Sequence, residues 1–313
     1  MILMISSKKK SLKRIGLGIV IAIISWVLVS CVVTVVIYDS TFPRYDKIPE
    51  VPTELEALVQ NRQEVSFNTD ENRLSGYLYK NESNGLIIIA PGFKASADDY
   101  LWQIDSLLSK GWAVFIFDTT GSCKSEGESS KGFSQEVVDL RAALDYIESN
   151  DRFGYDRLYI LGHSRGAYAA CSVLDEGYDI SAICSISGVN SSMDAIMQPV
   201  ADKIGFLAYG NYPFLWLYQA ILFGNETAHS DAAKEIAESD IPVLVVQGTE
   251  DELYTEDEYS VYSYSVDDNT SNVEYYLCDD EGKNGHTNLL FDGVNSANEE
   301  LMTKIDRFFK ENP

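Results

Sequence analysis

The chain has 313 residues, of which 45% are hydrophobic and 23% charged. That balance excludes a disordered, collagen-like or disulfide-stapled small protein and suffices for one large domain or two small ones. Lys and Arg total 24 against 48 Asp and Glu, a net charge of −24. A general nucleic-acid binder is excluded, because phosphate contact needs a basic surface.

The charge is segregated along the chain. Lys8, Lys9, Lys10, Lys13 and Arg14 occupy the first fourteen residues with no acid among them, and setting those five aside takes the remainder from −24 to −29. Residues 15–38 carry no charge, and Ser25, Ser30 and Thr34 are their only clearly polar side chains. At ~1.5 Å per residue such a run crosses a ~30 Å hydrocarbon core with some tilt. A buried core helix of this length would show a polar stripe. We therefore expect a cytoplasmic basic tip at 1–14 and a transmembrane helix at 15–38. By the positive-inside rule the rest of the chain lies outside the cell membrane. The apolar run is too long and too β-branched for an ordinary cleaved signal peptide. Leu28-Val29-Ser30-Cys31 resembles a lipoprotein box, but Val32, Val33, Val35, Val36 and Ile37 continue the apolar run where a polar tether would follow.

Beyond the span, residues 39–62 read as a polar stalk in which Pro43, Pro49 and Pro52 block regular structure. From residue 63 onward short apolar runs alternate with amphipathic ones. Residues 63–68 and 74–79 form a hairpin pattern, and 86–90 is a buried strand. A helix over 98–109 is closed by Gly111, and the strand 112–117 ends at Asp118. Another helix follows at 134–149, with Val137, Leu140, Leu144 and Ile147 on one face. The strand 158–161 leads into a helix from Arg165 to about Leu174, and 182–186, 243–247 and 273–278 are further strands. An amphipathic helix over 295–310 closes the chain. This alternation predicts an α/β domain over 63–313 with a mostly parallel sheet and flanking helices. Residues 189–240 are too long for an ordinary connection between two strands. They hold Phe206, Tyr209, Tyr212, Phe214, Trp216, Tyr218 and Phe223. We expect a helical insertion over one edge of the sheet, its aromatics forming a small core of their own or lining an apolar pocket.

The chemistry lies at strand ends. The strand at 158 runs into Gly162-His163-Ser164-Arg165-Gly166, a G-x-S-x-G turn followed by a helix. A reactive Ser presented on so sharp a turn needs neighbours without Cβ atoms, and the helix start aims backbone N–H groups at it. Of the three His residues, His163 should point its ring away from Ser164, and His229 reads as a surface residue of the insert. His286 sits on the loop past strand 273–278 and can reach across the strand ends as a base. An acid must orient that base, and Asp251, just past strand 243–247, is the candidate, with Glu250 as fallback. Glu252, Glu256, Asp257 and Glu258 read as a solvated face. Two backbone donors are needed for an oxyanion. The amide of Arg165 is one, and the amide of Phe93, after Gly92 in the loop leaving strand 86–90, is the other. The Arg165 side chain reads as a surface group.

The order Ser164, Asp251, His286, together with the oxyanion loop after an early strand, resembles the α/β-hydrolase superfamily of serine hydrolases. Residues 118–125 resemble that family's D-x-x-G-x-G-x-S loop, with Cys123 in place of the second Gly and Asp118 as a structural residue. The insert stands at the family's cap position, and Pro91 departs from the His many relatives carry there. The resemblance covers about 63–311 and implies an α/β-hydrolase fold and a Ser164–His286–Asp251 triad. The expected reaction is hydrolysis of a carboxylic ester or related acyl bond through an acyl-enzyme, without cofactor or metal. The substrate would be a small-molecule or peptide acyl compound, and the −29 domain favours neutral, moderately apolar esters over polyanions. A serine peptidase on the same triad is the alternative, with Glu226, Asp231, Glu235 or Glu238 anchoring a peptide's N-terminal amine. A non-catalytic binding module on the same fold is a further one. Cys171 and Cys184 read as buried small hydrophobes, and Asp267-Asp268-Asn269 lacks the Gly and Glu of a calcium loop.

Overall fold

The computed structural model describes residues 2–81, 84–266, 271–293 and 295–313, with side chains described from residue 13 onward. The Asp267-Asp268-Asn269 stretch and the side chains of Lys8, Lys9 and Lys10 lie outside what it describes. The helices are α1 (Ile2–Thr41), α2 (Glu56–Asn61), α3 (Leu101–Ser109), α4 (Phe133–Ser149), α5 (Arg165–Ser172), α6 (Ser192–Ile204), α7 (Tyr212–Phe223), α8 (Asn225–Ala228), α9 (Ala232–Glu238), α10 (Val261–Ser265) and α11 (Glu299–Glu311). The strands are β1 (Gln63–Asn68), β2 (Arg73–Tyr79), β3 (Leu86–Ala90), β4 (Ala113–Phe117), β5 (Leu158–His163), β6 (Ala182–Ile186), β7 (Val243–Gly248) and β8 (Val273–Cys278).

One eight-stranded sheet runs β1-β2-β4-β3-β5-β6-β7-β8. The β1–β2 and β2–β4 pairs are antiparallel, and the other pairs are parallel. The central strands are buried on both faces, which explains their unbroken apolar runs. Along β3, Leu86, Ile88 and Ala90 join the core on the α4–α5 side, while Ile87 and Ile89 join the core on the α3–α11 side. The same alternation continues in β4 and β5, so three adjacent strands contribute to both layers.

Several boundaries differ from the sequence expectation for local reasons. The helix expected from residue 98 opens as a 3-10 turn, Ala97–Tyr100, because Ser96 and Asp99 form a reciprocal capping box. The last helix begins at Glu299 instead of 295, because the Asn298 side chain accepts the Leu301 amide. Residues 43–47 are docked on the domain. Arg44 donates to the carbonyls of Cys123, Ser125 and Gly127, and the Tyr45 amide donates to the Gly121 carbonyl at 2.9 Å. Asp118 accepts from the Tyr77 hydroxyl at 2.8 Å and from the Ala97 amide at 3.0 Å, a structural role. Cys171 and Cys184 are buried free thiols, and burial pushes Cys171 up to about 12.

The insert between β6 and β7 comprises α6 to α9. Its aromatics do neither of the things expected of them. Among the described residues none lines the cavity beside Ser164, and Phe206, Tyr209, Tyr212 and Trp216 remain exposed. The reason is that α7 packs across α1, which draws the insert's apolar surface toward the long N-terminal helix. That helix contains one stretch, Lys13–Thr41, long and apolar enough to cross a membrane.

Candidate active site

The turn after β5 is built by exclusion. A Cβ on Gly162 would strike the Gly166 carbonyl, and one on Gly166 would strike the Ala90 carbonyl. Strand and helix can therefore close on each other only if both positions are Gly. Between them Ser164 is held at φ 56°, ψ −117°, a left-handed conformation that costs a non-Gly residue of order 1–3 kcal/mol. Its amide donates to the Ile186 carbonyl at 2.8 Å, and its hydroxyl projects into a cavity of about 410 Å³. Phe93, Tyr100, Phe133, Leu253, Tyr254 and Leu290 supply much of that cavity's apolar wall.

The structure brings Ser164, His286 and Asp251 into one chain of hydrogen bonds. The Ser164 hydroxyl lies 2.8 Å from His286 Nε2, and His286 Nδ1 lies 2.9 Å and 3.0 Å from the two Asp251 oxygens. A carboxylate can only accept, so Nδ1 carries the proton and Nε2 is left to accept from the Ser hydroxyl. Asp251 also receives the Leu253 and Tyr254 amides, both at 2.9 Å, and the Gln247 side-chain amide at 3.1 Å. Burial would raise its pKa, but the bond to His286, that ring's charge and the two amides together hold it below the usual carboxylate range. The fallback, Glu250, is exposed, and its amide is tied to the Asn284 carbonyl at 2.8 Å. Glu252, expected on a solvated face, does more: its carboxylate accepts the His286 amide at 3.2 Å.

Both amides expected to hold an oxyanion border this site, and neither is engaged in a hydrogen bond among the described residues. Arg165 opens α5, where first-turn amides have no intrahelical acceptor. The Gly92 amide, by contrast, is committed to the Tyr100 hydroxyl at 2.8 Å, which leaves Phe93 as the unengaged amide next to it. The Arg165 side chain is not at the surface. It is 1% exposed and forms an ion pair with Glu136 at 2.7 Å, its NH2 also donating to Thr119 at 2.9 Å. Helix α4 supplies that partner, and no local pattern around residue 165 announces it. The guanidinium also lies 5.5 Å from the Phe93 ring centroid, a cation–π contact that fixes the loop carrying the Phe93 amide.

His163 points away from Ser164, as expected, but no local pattern around it announces its partners. Nε2 lies 3.1 Å from the His286 carbonyl and Nδ1 lies 2.9 Å from the Tyr100 hydroxyl. Only one assignment satisfies every atom: Gly92 N–H donates to Tyr100, Tyr100 O–H to His163 Nδ1, and His163 Nε2–H to the His286 carbonyl. The ring thus joins the loop that carries Gly92 and Phe93 to the loop that carries His286. Burial, reinforced by the nearby His286, pushes His163 down to about 4. His229 stacks on Trp216 at 4.2 Å, and neither of its ring nitrogens has a hydrogen-bond partner among the described residues.

Replacing His163 by Phe should keep the ring volume and strand both partners, destabilising the protein by about 1–3 kcal/mol per orphaned group. The effect depends on pH. In wild type the unfolded His takes up a proton below its ordinary 6.5, while the folded one resists until about 4. The stability that His163 contributes is therefore intact above 6.5 and is lost as pH falls from 6.5 to 4, by at most about 3 kcal/mol. The gap between wild type and His163→Phe should narrow over that interval in chemical denaturation. A constant gap would show that His163 is not held neutral.

Residues 81–209 match the family model described as serine aminopeptidase S33. Bis(hydroxyethyl) terephthalate hydrolase from Streptomyces coelicolor is 35% identical over 86 residues, 26% of this chain and 26% of that protein. Cutinase est2 from Thermobifida alba is 24% identical over 152 residues, 44% of this chain and 48% of that protein. The chain thus spans about a quarter and about half of the curated relatives it matches. Among solved structures, the Pyrococcus furiosus esterase Pf2001 superposes with a TM-score of 0.63 at 22% identity, covering 86% of this chain and 98% of that one. Est1E from Butyrivibrio proteoclasticus, solved with ferulic acid, gives 0.57 at 19% identity over 79% of this chain and 98% of that one. The sheet order, the strained Ser turn after β5 and these likenesses agree on one architecture: the chain has an α/β-hydrolase fold.

Proposed function

We propose that this protein is a membrane-anchored serine hydrolase that cleaves a carboxylic ester through an acyl-enzyme. The observation that carries the reading is the hydrogen-bonded series from Ser164 to His286 to Asp251, ending at a cavity with an apolar wall. His286 takes the Ser164 proton as the hydroxyl attacks the acyl carbon, and Asp251 holds the imidazole and stabilises its charged form. The Phe93 and Arg165 amides receive the developing oxyanion. The imidazolium then returns the proton to the leaving alcohol, and water, activated by the same His, releases the acid. The relatives named for hydrolysing terephthalate esters and cutin, and the esterases among the structural neighbours, support an ester as substrate.

The description of the matching family model favours an aminopeptidase as a second reading. Against it, Glu226, Asp231, Glu235 and Glu238 are absent from the cavity wall, and the acid that is there, Asp99, is spent on the Ser96 capping box. For the anchor, the basic residues before the span and the charge-free stretch that follows support a single pass with the N-terminus cytoplasmic. A fluorophosphonate probe that does not cross the membrane, applied to intact cells, tests chemistry and topology together. Wild type should be labelled and Ser164→Ala should not. Absence of label on intact cells but presence after lysis would reverse the topology. Absence in both would leave a binding module without hydrolase chemistry.

A further inference from the structure

The buried positions of α1 form a stripe at Ser30, Thr34 and Tyr38, one residue in four, which Phe42 just past its end continues. Two of the span's three polar residues therefore face protein and not lipid. Thr34 accepts the Asn211 side-chain amide at 2.6 Å, and Asp39 accepts the Tyr218 hydroxyl at 3.0 Å. Trp26 and Phe214 meet edge to face with ring centroids 5.3 Å apart, and Tyr38 and Tyr218 do so at 5.2 Å.

These contacts fix a depth. Trp26 lies near the middle of the charge-free run, twelve residues before Tyr38, or ~18 Å along the helix axis. Half of a hydrocarbon core is ~15 Å. A segment that touches both Trp26 and Tyr38 therefore spans the depth of a whole leaflet. The surface it turns outward fits that setting, with Phe206 81%, Ile221 70%, Leu207 65% and Leu217 52% exposed. The insert's 204–223 stretch contains no Asp, Glu, Lys or Arg, in a chain that is otherwise strongly acidic.

We propose that the 204–223 stretch is embedded among the acyl chains of the leaflet at the C-terminal end of α1, and that the Ser164 cavity therefore works on amphipathic esters held at that membrane surface. Phe42, the residue after α1, stands 5.5 Å from the Phe93 ring and 6.3 Å from the Phe133 ring, both in the cavity wall. One aromatic ring thus separates the end of the span from the cavity. The substrate half of the proposal rests on the serine-hydrolase reading, and the immersion half does not.

The test uses the full chain in lipid nanodiscs containing a phospholipid with a diazirine on its acyl chain. After illumination, peptide mapping should find lipid adducts on 204–223 as well as on α1, in wild type and in Ser164→Ala alike. Adducts confined to α1 would overturn the immersion, as would cross-links between copies through 204–223 in place of lipid adducts. Leu217→Asp with Ile221→Asp supplies the kinetic arm. Hydrolysis of a long-chain ester dissolved in the nanodisc should fall about tenfold or more, because buried Asp opposes insertion. Hydrolysis of a soluble short-chain ester should stay within about twofold. Equal loss on both esters, or none on either, would overturn the substrate class. If wild type cleaves neither ester, the hydrolase reading fails while the adduct map still decides immersion.

Discussion

Ser164→Ala should lower kcat/KM for a soluble p-nitrophenyl ester by about 10⁴-fold or more without lowering thermal stability. The loss is large because the hydroxyl is the bond-forming atom. The fold should survive, since the left-handed conformation of residue 164 burdens Ala no more than Ser and the hydroxyl's partner, His286 Nε2, faces a cavity that water can enter. Asp251→Asn should cost about 10⁴-fold by a different route. The Leu253 and Tyr254 amides already point at Oδ1 of residue 251, so an Asn side chain must keep its oxygen there and turn its NH2 toward the imidazole. His286 Nδ1 would then have to accept, its proton would move to Nε2, and Nε2 could no longer take the Ser164 proton. Steady-state assays of both single variants and of the double variant check this. Because the groups act as a unit, the double variant should be no slower than the Ser164 variant alone, within about a few-fold. Multiplied losses would mean that residue 251 acts independently of Ser164.

The second large effect concerns stability. Glu136→Leu should destabilise the protein by about 3–5 kcal/mol, because it leaves the Arg165 guanidinium buried without its ion-pair partner and with no means of losing its proton. Arg165→Met should cost less, since the abandoned carboxyl can neutralise itself. Burial already pushes Glu136 up to about 8, against the downward pull of Arg165, and without Arg165 it should rise further. A carboxyl raised above its unfolded value favours the folded state fully below the ordinary 4.5, and that contribution is lost as pH rises toward and through its folded value. The Arg165→Met protein should thus weaken steadily from pH 5 to 9, and more steeply than wild type, whereas Glu136→Leu, which lacks the carboxyl, should show no such weakening from this position. Denaturation curves at several pH values distinguish the two. A Glu136→Leu protein as stable as wild type would mean that the pair is dispensable.

The parts legible in the sequence were those governed by short-range rules. The apolar runs at 86–90 and 112–117 read as strands, the first of them buried, and Gly162 and Gly166 around Ser164 marked a turn that admits no Cβ. The positions of Asp251 and His286 past strand ends followed from the alternation of elements. What was not legible depends on partners distant in sequence. The Arg165 side chain looked like a surface group because Glu136 belongs to another helix. The link through His163 needs Tyr100, 63 residues away, and no motif ties the two. The insert's aromatics could not be assigned because Phe214 meets Trp26 and Tyr218 meets Asp39, the latter 179 residues earlier. Hydrophobic patterning reports that a face is apolar, and gives no information on whether protein or lipid covers it.

The docking of Tyr38 and Phe42 also bears on how the N-terminal helix can be handled. Tyr38 is 3% exposed and donates to the Lys131 carbonyl at 3.0 Å, while Phe42 packs against Phe93 and Phe133. The N-terminal helix is therefore not a detachable module. A version cut at residue 43 would remove the packing behind Phe93 and Phe133 in the wall beside Ser164, and a foreign helix grafted at residue 41 would displace Tyr38. Exchange of the N-terminal helix preserves the site only if the junction falls before Ser30, so that the whole stripe travels with the domain.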